Sequence, residues 1–523
     1  MKTFITKHIR NGFFKIKFWS VIMAVCLFLG TACTNLDETL YSNLSNENFL
    51  KTDEEITAAM GAVYGGLRTI QDAGNAIHLM YCANEVCFPE RSDGSWGGDG
   101  NDQQTSDHTW LPSNRFITNT WNSFYREVNT CNRVIYQLEK IDAGKYAEYI
   151  SETKTIRALW YLLLMDMWGN VPLVTKFDVP QDFLPATNTR KEVYDFIEQE
   201  IKNNMNNLAK EKSLTTYARA DYWTAQAILA KLYLNAEVYT GVPQWKKALD
   251  ACNEIINSGL FSMTKTYREN FIAKNEGSPE AVFSIPFDQI YTGGIWNLPQ
   301  RTLHYQGVQT FKMIADSWDG VSAQPDYVYL YEDGDIRKAN NFLLGPQYTA
   351  TGEPLMAMEG KYETDLSMDP DGPWINYTPE IGDLYHAPFQ AGARISKWEI
   401  EMGNNGNLNS DFFLFRYSDI LLMKAELLWR LNPADNEALN LVNLFRDRAG
   451  VPRFSALDEH NLLEERGREL FMEGWRRGDL IRFGKFNEPS ILRPKGSEAF
   501  RRLYPIPKEQ IDANPNLRQN PGY

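Results

Sequence analysis

Apolar residues recur at three- and four-residue intervals along two stretches of the chain, about 50–278 and 411–523. The capping-box sequence Thr52-Asp53-Glu54-Glu55 precedes the first such stripe, which is typical of the start of an amphipathic α-helix. The same spacing predicts further helices over about 116–140, 152–168, 191–208, 218–239, 245–258, 420–431 and 434–449. The pattern therefore predicts a mainly α-helical fold.

Two of these helices have the features of a tetratricopeptide repeat. The segment Leu229-Ala230-x-x-Tyr233 matches the core of the first helix of such a repeat, and Ala248 and Cys252 suit the second. Arg157-Ala158-x-x-Tyr161 is a weaker version of the same motif. We therefore expect a tetratricopeptide-like helical-repeat scaffold built from about 50–278 and 411–523.

Two regions break the helical pattern. Residues 86–113 are rich in Gly, Asp and Trp, and residues 279–410 hold ten of the 24 prolines together with short alternating strands. Long irregular segments inside a compact domain are usually functional. We expect a single domain over 33–523 in which these two regions form a loop-rich ligand region with short β-hairpins.

The N-terminus has the pattern of a lipoprotein signal peptide over residues 1–32. A basic start is followed by an apolar run over 18–29, which is too short to span a bilayer. Small residues then precede Cys33, although Gly30 stands where a lipobox most often has Leu. We expect acylation of Cys33 and attachment to a bacterial envelope membrane by lipid. An ordinary secretory signal cleaved nearby is the alternative.

Charge and motif content exclude several classes of function. The formal net charge is −14, and the first 32 residues contain five Lys/Arg and no acid, so the mature chain is more acidic still. This argues against non-specific binding to nucleic acid or anionic lipid. The chain has no HExxH, GxSxG, Walker loop or CxxC motif, and we predict no metal or cofactor. A loose calcium site in 93–102 and a Cys82–Cys87 disulfide stay open, as does a glycosidase pair of carboxylates.

The run from Glu464 to Arg482 is dense in Glu and Arg. On a helix, Glu464 and Arg468 would lie four residues apart, as would Glu473 and Arg477. We interpret the run as an ion-paired structural helix and not as a catalytic motif.

Several tryptophans lie in Gly-, Pro- and Asp-rich loops, where nothing local would bury them. An exposed aromatic ring can cover the C–H face of a sugar, while amides and carboxylates bind its hydroxyls. We predict that Trp96, Tyr291 and Trp296 form an aromatic platform for a neutral or weakly charged oligosaccharide, with Trp110 in reserve. The expected hydroxyl partners are Asp99, Asn101 and Gln103. Burial of each ring against the core is the competing interpretation.

Several segments, in the same order along the chain, resemble the SusD/RagB family of Bacteroidetes outer-membrane lipoproteins. They are Cys33 with Leu36-Asp37, Trp121-x-x-x-Tyr125, Asn129-Thr-Cys-Asn132-Arg133, Arg157-Ala158, Trp168-Gly169-Asn170-Val171-Pro172-Leu173, Arg416-Tyr417-Ser418-Asp419, Asn443-x-x-Arg446-x-Arg448-Ala449-Gly450, Glu465-Arg466-x-Arg468-Glu469, Glu473-Gly474-x-Arg476-x-x-Asp479, Tyr504-Pro505-Ile506-Pro507 and Gln519-Asn520-Pro521-Gly522-Tyr523.

The resemblance implies a fold and a function. The fold would be four tetratricopeptide-like units supporting an irregular region, with loop aromatics meeting on one face. The function would be non-catalytic capture of oligosaccharide or polysaccharide at the outer surface of the outer membrane, as the lid of a SusC-like TonB-dependent transporter. The alternatives are a surface-anchored helical glycoside hydrolase, a protein that binds cargo such as peptides, and a scaffold without a ligand.

Overall fold

The computed structural model describes residues 52–72, 74–357 and 373–523, so the predicted signal peptide and Cys33 lie outside the described residues. The α-helices are α1 Asp53–Gly66, α2 Asn101–Asp107, α3 Arg115–Asp142, α4 Ala147–Trp168, α5 Arg190–Asn204, α6 Tyr222–Leu234, α7 Ala236–Thr240, α8 Trp245–Asn257, α9 Leu298–Thr302, α10 Val308–Phe311, α11 Pro325–Val328, α12 Ile336–Asn341, α13 Tyr417–Leu431, α14 Asn436–Ala449, α15 Glu459–Glu469, α16 Arg476–Arg482 and α17 Lys508–Ala513. The mainly α-helical prediction is confirmed.

Local sequence explains where the scaffold helices begin and end. Thr52 and Glu55 form the predicted capping box at the start of α1, and Thr189 and Glu192 form another at the start of α5. The Asn114 side chain accepts a hydrogen bond from the Phe116 amide at 3.0 Å and caps α3. Gly169 follows α4 with φ of 74°, a conformation that favours glycine. Each of these four helices therefore begins at a capping side chain or ends at a glycine.

The scaffold helices pack as neighbours in sequence. α3 packs on α4 and α4 on α5, and in the repeat-like pair α6 packs on α8. α8 also packs on α13, which joins the first helical stretch to the second. The Leu229 and Tyr233 side chains predicted for the repeat core are buried. In the described part of the chain, no helix is long and apolar enough to cross a bilayer.

The strands are short and pair across long sequence distances. They are β1 Val86–Cys87, β2 Val171–Pro172, β3 Thr187–Asn188, β4 Ala281–Ile285, β5 Ser322–Ala323, β6 Phe342–Leu343, β7 Gly345–Pro346, β8 Asn376–Tyr377, β9 Arg394–Ile395 and β10 Phe412–Arg416. All five pairs are antiparallel: β1–β5, β2–β3, β4–β10, β6–β9 and β7–β8. Short strands were expected and are present. The named strands pair across 14 or more residues, while the bridge between Tyr348 and Pro354 closes a tight hairpin of the expected kind.

Two of the strand pairs determine where the loop-rich regions lie. β4 and β10 pair at the beginning and end of the region over 286–411, so the chain leaves and re-enters the scaffold at one place. β1 pairs with β5, with Val86 opposite Ala323. The 86–113 loop is therefore held against the 279–410 region.

The acidic and basic run near the C-terminus forms two helices and not one. Met472 and Gly474 have φ of 52° and 91° and separate α15 from α16. The predicted pairs four residues apart do not form in the described structure. Glu464 pairs with Arg476, Arg468 with Glu465, and Arg477 with Asp166. The run is ion-paired, as interpreted from the sequence, but most of its ion pairs join different segments of the chain and do not lie along one helix.

At the centre of this network lies Arg416, whose guanidinium is fully buried. It contacts the carboxylates of Glu280, Glu469 and Glu473 at 2.9, 2.9 and 2.8 Å. Nearby cations hold the pKa of the Glu280 carboxyl well below its usual value, against the effect of burial. Because Glu280 directly precedes β4 and the other two acids lie in the C-terminal run, the network ties the base of the loop-rich region to the scaffold.

The four cysteines of the described region are buried free thiols, so Cys82 and Cys87 are not joined. Burial raises the pKa of Cys87 to about 12, and the thiol is therefore protonated at neutral pH. Among the described residues, no group of three or more His, Cys, Asp or Glu side chains converges in a way that could hold a metal ion.

Candidate ligand-binding site

Trp96 lies at the surface of the 86–113 loop and is half-buried. Its backbone has φ of 62°, which is unusual for a side chain of this size, and the neighbouring glycines leave room for the turn. Its indole N–H donates a hydrogen bond to the Trp318 carbonyl at 2.7 Å. The Trp96 ring packs directly on Gly320. Any larger residue at position 320 would overlap the ring.

Trp318 is the second aromatic residue of this surface, and 36% of it is exposed. Its amide donates to the Gln300 carbonyl, while the Ser317 hydroxyl before it donates to the His304 carbonyl at 2.8 Å. The ring is therefore presented from a fixed backbone. Sequence reasoning missed Trp318, although a signal existed. The segment Asp316-Ser317-Trp318-Asp319-Gly320 repeats the Ser-Trp between Asp and Gly of Asp93-Gly94-Ser95-Trp96-Gly97.

Arg301 brings a positive charge to the Trp318 ring. Its guanidinium carbon lies 5.7 Å from the centroid of the Trp318 ring, and its Nε donates to Asn297 Oδ1 at 2.6 Å. Burial lowers the pKa of Arg301 to about 10, and Asp72 and Asp102 oppose that effect. In the described part of the chain no carboxylate lies within 4.0 Å of it. Arg301 stays charged at neutral pH and retains donors for hydroxyl groups.

Tyr291 meets the expectation of exposure, since 88% of it is accessible. It lies in a turn fixed by Asp288, whose Oδ1 accepts hydrogen bonds from the Ile290 and Tyr291 amides at 2.7 and 2.9 Å. The next turn is held at Gly294, whose amide donates to Asn407 Oδ1 at 2.7 Å. A fixed turn thus carries a ring that makes no ring contact in the described structure.

The structure excludes Trp110 and Trp296 from a binding surface. Trp296 is 1% exposed and packs edge-on against Trp398 and Phe412, because the loops around it close over a core of their own. Trp110 is fully buried, and its indole donates to the Tyr523 hydroxyl at 2.7 Å. Both are anchors of the fold, which was the competing interpretation of a loop tryptophan.

The predicted hydroxyl partners separate into two kinds. Gln103 is buried, and its amide donates to the carbonyls of Phe88 and Trp96 at 2.9 Å each, so it holds the loop and does not face a ligand. Asp99 is exposed and accepts from the Asn101 amide at 3.1 Å. Asn101 accepts from the Arg115 amide at 3.2 Å and is partly exposed. Asp99 and Asn101 therefore keep polar atoms near the surface.

Together, a helical scaffold holds two loop regions so that the Trp96 indole bonds the Trp318 backbone and Arg301 lies beside the Trp318 ring. This combination defines a helical-repeat protein that carries partly exposed tryptophans on its loop-rich regions. A family model described as "SusD family" matches residues 257–523, just over half of the chain. A second, described as "Starch-binding associating with outer membrane", matches residues 36–234. The chain belongs to the SusD family.

Individual relatives agree with this assignment. The starch-binding protein SusD of Bacteroides thetaiotaomicron is 25% identical over 466 residues, covering 82% of each chain. SusD-like protein P38 of Formosa agariphila is 25% identical and covers 97% of this chain and all of its own.

Solved structures share the fold. A laminarin-binding SusD-like protein superposes with a TM-score of 0.70 and 21% identity, covering 91% of this chain and all of its own. The surface glycan-binding protein A of Bacteroides thetaiotaomicron, in complex with laminarihexaose, gives 0.68 and 21%, covering 90% and 99%.

Proposed function

We propose that this protein binds a neutral oligosaccharide or polysaccharide at the cell surface, with Trp96 and Trp318 as stacking rings. The observation that supports this most is that the Trp96 indole bonds the Trp318 backbone across 222 positions of sequence. Partly exposed aromatic side chains that a fold holds close together often mark a ligand-binding surface. A sugar ring offers the apolar C–H face that such rings bind.

The polar groups around the rings suit hydroxyls. Arg301 supplies donors beside Trp318, while Asp99 and Asn101, a few positions after Trp96 in the same loop, supply acceptors and an amide. Charges of both signs near the rings favour a neutral glycan over a highly charged one. Among the similar proteins, one is a starch-binding protein and another a laminarin-binding protein, so glucans are the first probes to use.

The protein acts without catalysis in this proposal, delivering the glycan to a SusC-like TonB-dependent transporter. Membership of the family supports the association with the outer membrane. Anchoring through acylated Cys33 and exposure at the cell surface rest on the sequence pattern before Cys33. The transporter partner rests on the family resemblance.

The test uses a soluble form that begins after Cys33. Affinity electrophoresis through starch, laminarin, xyloglucan, galactomannan and arabinoxylan should show retardation by at least one polysaccharide. Trp318→Ala should weaken that binding about tenfold, equivalent to about 1.4 kcal/mol. Phe183→Ala is the matched control, since Phe183 is 45% exposed on another segment; its affinity should equal that of the wild type.

Two results would contradict the proposal. One is the absence of retardation by every polysaccharide of the panel. The other is release of shortened products by the pure protein, because turnover would assign the surface to a glycoside hydrolase.

A further inference from the structure

A second pair of exposed aromatic rings lies outside the site just described. The rings of Tyr348 and Trp374 meet edge to face with their centroids 5.3 Å apart. The residues are 44% and 40% exposed, respectively. Large aromatic side chains that pack on each other but stay open to solvent often mark a binding surface.

The backbone presents this pair rigidly. The Trp374 indole donates to the Gln347 carbonyl at 2.7 Å, and the Gln347 amide donates to the Ile375 carbonyl at 2.8 Å. Ile375 and Tyr377 point inward and are buried with Leu355, as the alternation along a strand requires. The β7–β8 pair therefore covers a small hydrophobic core, but Trp374 lies on the opposite, solvent-facing side.

A chain of contacts links the pair to the loop that carries Trp96. The Tyr305 hydroxyl lies 3.3 Å from Ser95 Oγ, directly beside Trp96. From Tyr305 the chain runs helically to Thr310, whose hydroxyl donates to the Tyr348 carbonyl at 2.8 Å. Five residues of 3₁₀- and α-helix span roughly 8–10 Å.

A second connection gives a similar spacing. The Tyr377 hydroxyl accepts from the His304 amide at 3.3 Å. Tyr377 lies three strand residues from Trp374, which is about 10 Å. These spans are measured between Cα atoms, so the two pairs of rings are separated by about 10 Å plus the length of the Tyr305 or Tyr377 side chain.

We propose that Tyr348 and Trp374 form a second subsite for the same glycan chain, so that the protein selects polysaccharides long enough to contact both pairs of rings. This inference rests on the proposed function, because the first site must bind a glycan for the second to extend it. The exposed residues that flank the pair along the chain are the neutral, polar Thr351 and Asn376 and the carboxylate Glu353. Their side chains offer hydrogen-bond donors and acceptors for the hydroxyl groups of a sugar chain.

The experiment measures affinity against chain length by calorimetry. The probes are starch with maltose to maltoheptaose, and laminarin with laminaribiose to laminarihexaose; the series used is the one whose polysaccharide retards the wild type. Trp374→Ala should weaken binding of the polysaccharide about threefold to tenfold, as expected for one lost stacking ring. It should leave the shortest bound oligosaccharide unchanged, and Trp374→Phe should restore most of the loss.

Trp318→Ala and Phe183→Ala separate the possible failures. Trp318→Ala should weaken binding of every chain length, and Phe183→Ala of none. If Trp374→Ala binds all lengths as the wild type does while Trp318→Ala loses binding, the second subsite is disproved and the first stands. If the wild type binds neither series nor either polysaccharide, the proposed function fails for these glucans and the second subsite fails with it.

Discussion

Glu85 is a carboxyl buried where the 86–113 loop leaves the scaffold. Its Oε1 accepts a hydrogen bond from the Met472 amide at 2.7 Å, while Oε2 is buried and has no hydrogen-bond partner in the described structure. Burial raises the pKa of Glu85 to about 8, although Arg476 and Lys397 act against it and Glu473 acts with it. The folded protein therefore holds a proton at Glu85 near neutral pH.

This proton makes stability depend on pH. The pKa of Glu85 in the folded protein is higher than its unfolded value of about 4.3. The protonated carboxyl therefore contributes its full stabilisation of the fold below about pH 4.3. The free energy of unfolding then falls by up to about 1.4 kcal/mol per pH unit as the pH rises toward 8. Glu85→Gln should remove this contribution. Melting temperatures from pH 5 to 8.5 should fall less steeply in the variant than in the wild type, and parallel curves would contradict the assignment.

The tryptophans show what could be predicted at this scale. Residue type and loop context identified Trp96 as a candidate, and it lies at the surface. They identified Trp296 equally well, and it is buried, because its burial depends on Trp398 and Phe412, more than a hundred positions away. Trp318 was missed, although Gln300 and His304 hold its segment so that the ring faces out. Local sequence cannot distinguish these cases, since only the tertiary fold decides what covers a ring.

The elements themselves were easier to predict. Helices such as α3 and α8 lie close to the ranges expected from the apolar spacing, since that spacing is set by the surface each helix buries. The break between α15 and α16 was not predicted, because charge spacing alone favoured one continuous helix. Ion pairs between distant segments replace the expected pairs along one helix. Glu473 bonds Arg416 and Lys397 instead of Arg477.

The ion network is open to a direct test. Arg416→Met leaves the buried carboxylates of Glu280, Glu469 and Glu473 without a shared cation, and breaking such a group costs roughly 3–5 kcal/mol. Chemical denaturation should show this loss, or the variant should fail to accumulate as folded protein. Arg453→Met is the control, because the Arg453–Asp447 pair is at the surface; its change should stay within about 1 kcal/mol. Equal effects of the two substitutions would exclude the network as a main stabilising element.

For the whole molecule, the N-terminal pattern makes a separate prediction. Cells producing the full chain should hold it in the membrane fraction through a lipidated Cys33. The Cys33→Ser variant should appear in the soluble fraction, because serine has no thiol to be acylated. Mass spectrometry of the N-terminal peptide checks the modification directly, and an unmodified mature N-terminus elsewhere in the wild type would contradict it.

The pairing of β4 with β10 has a consequence for how such a protein changes over evolutionary time. Neighbouring antiparallel strands keep their Cα atoms about 4.5–5.5 Å apart. The pairing of β4 with β10 therefore fixes the distance between the two ends of the segment over 286–411. The entropy of closing a loop rises by only about 0.6 kcal/mol for each doubling of its length. Insertions and deletions in the exposed loops of this segment therefore cost little folding free energy, whereas β5, Arg337 and Lys397 must keep their contacts with β1, Glu465 and Glu473. The length and composition of those loops can thus vary among related proteins while the helices stay unchanged.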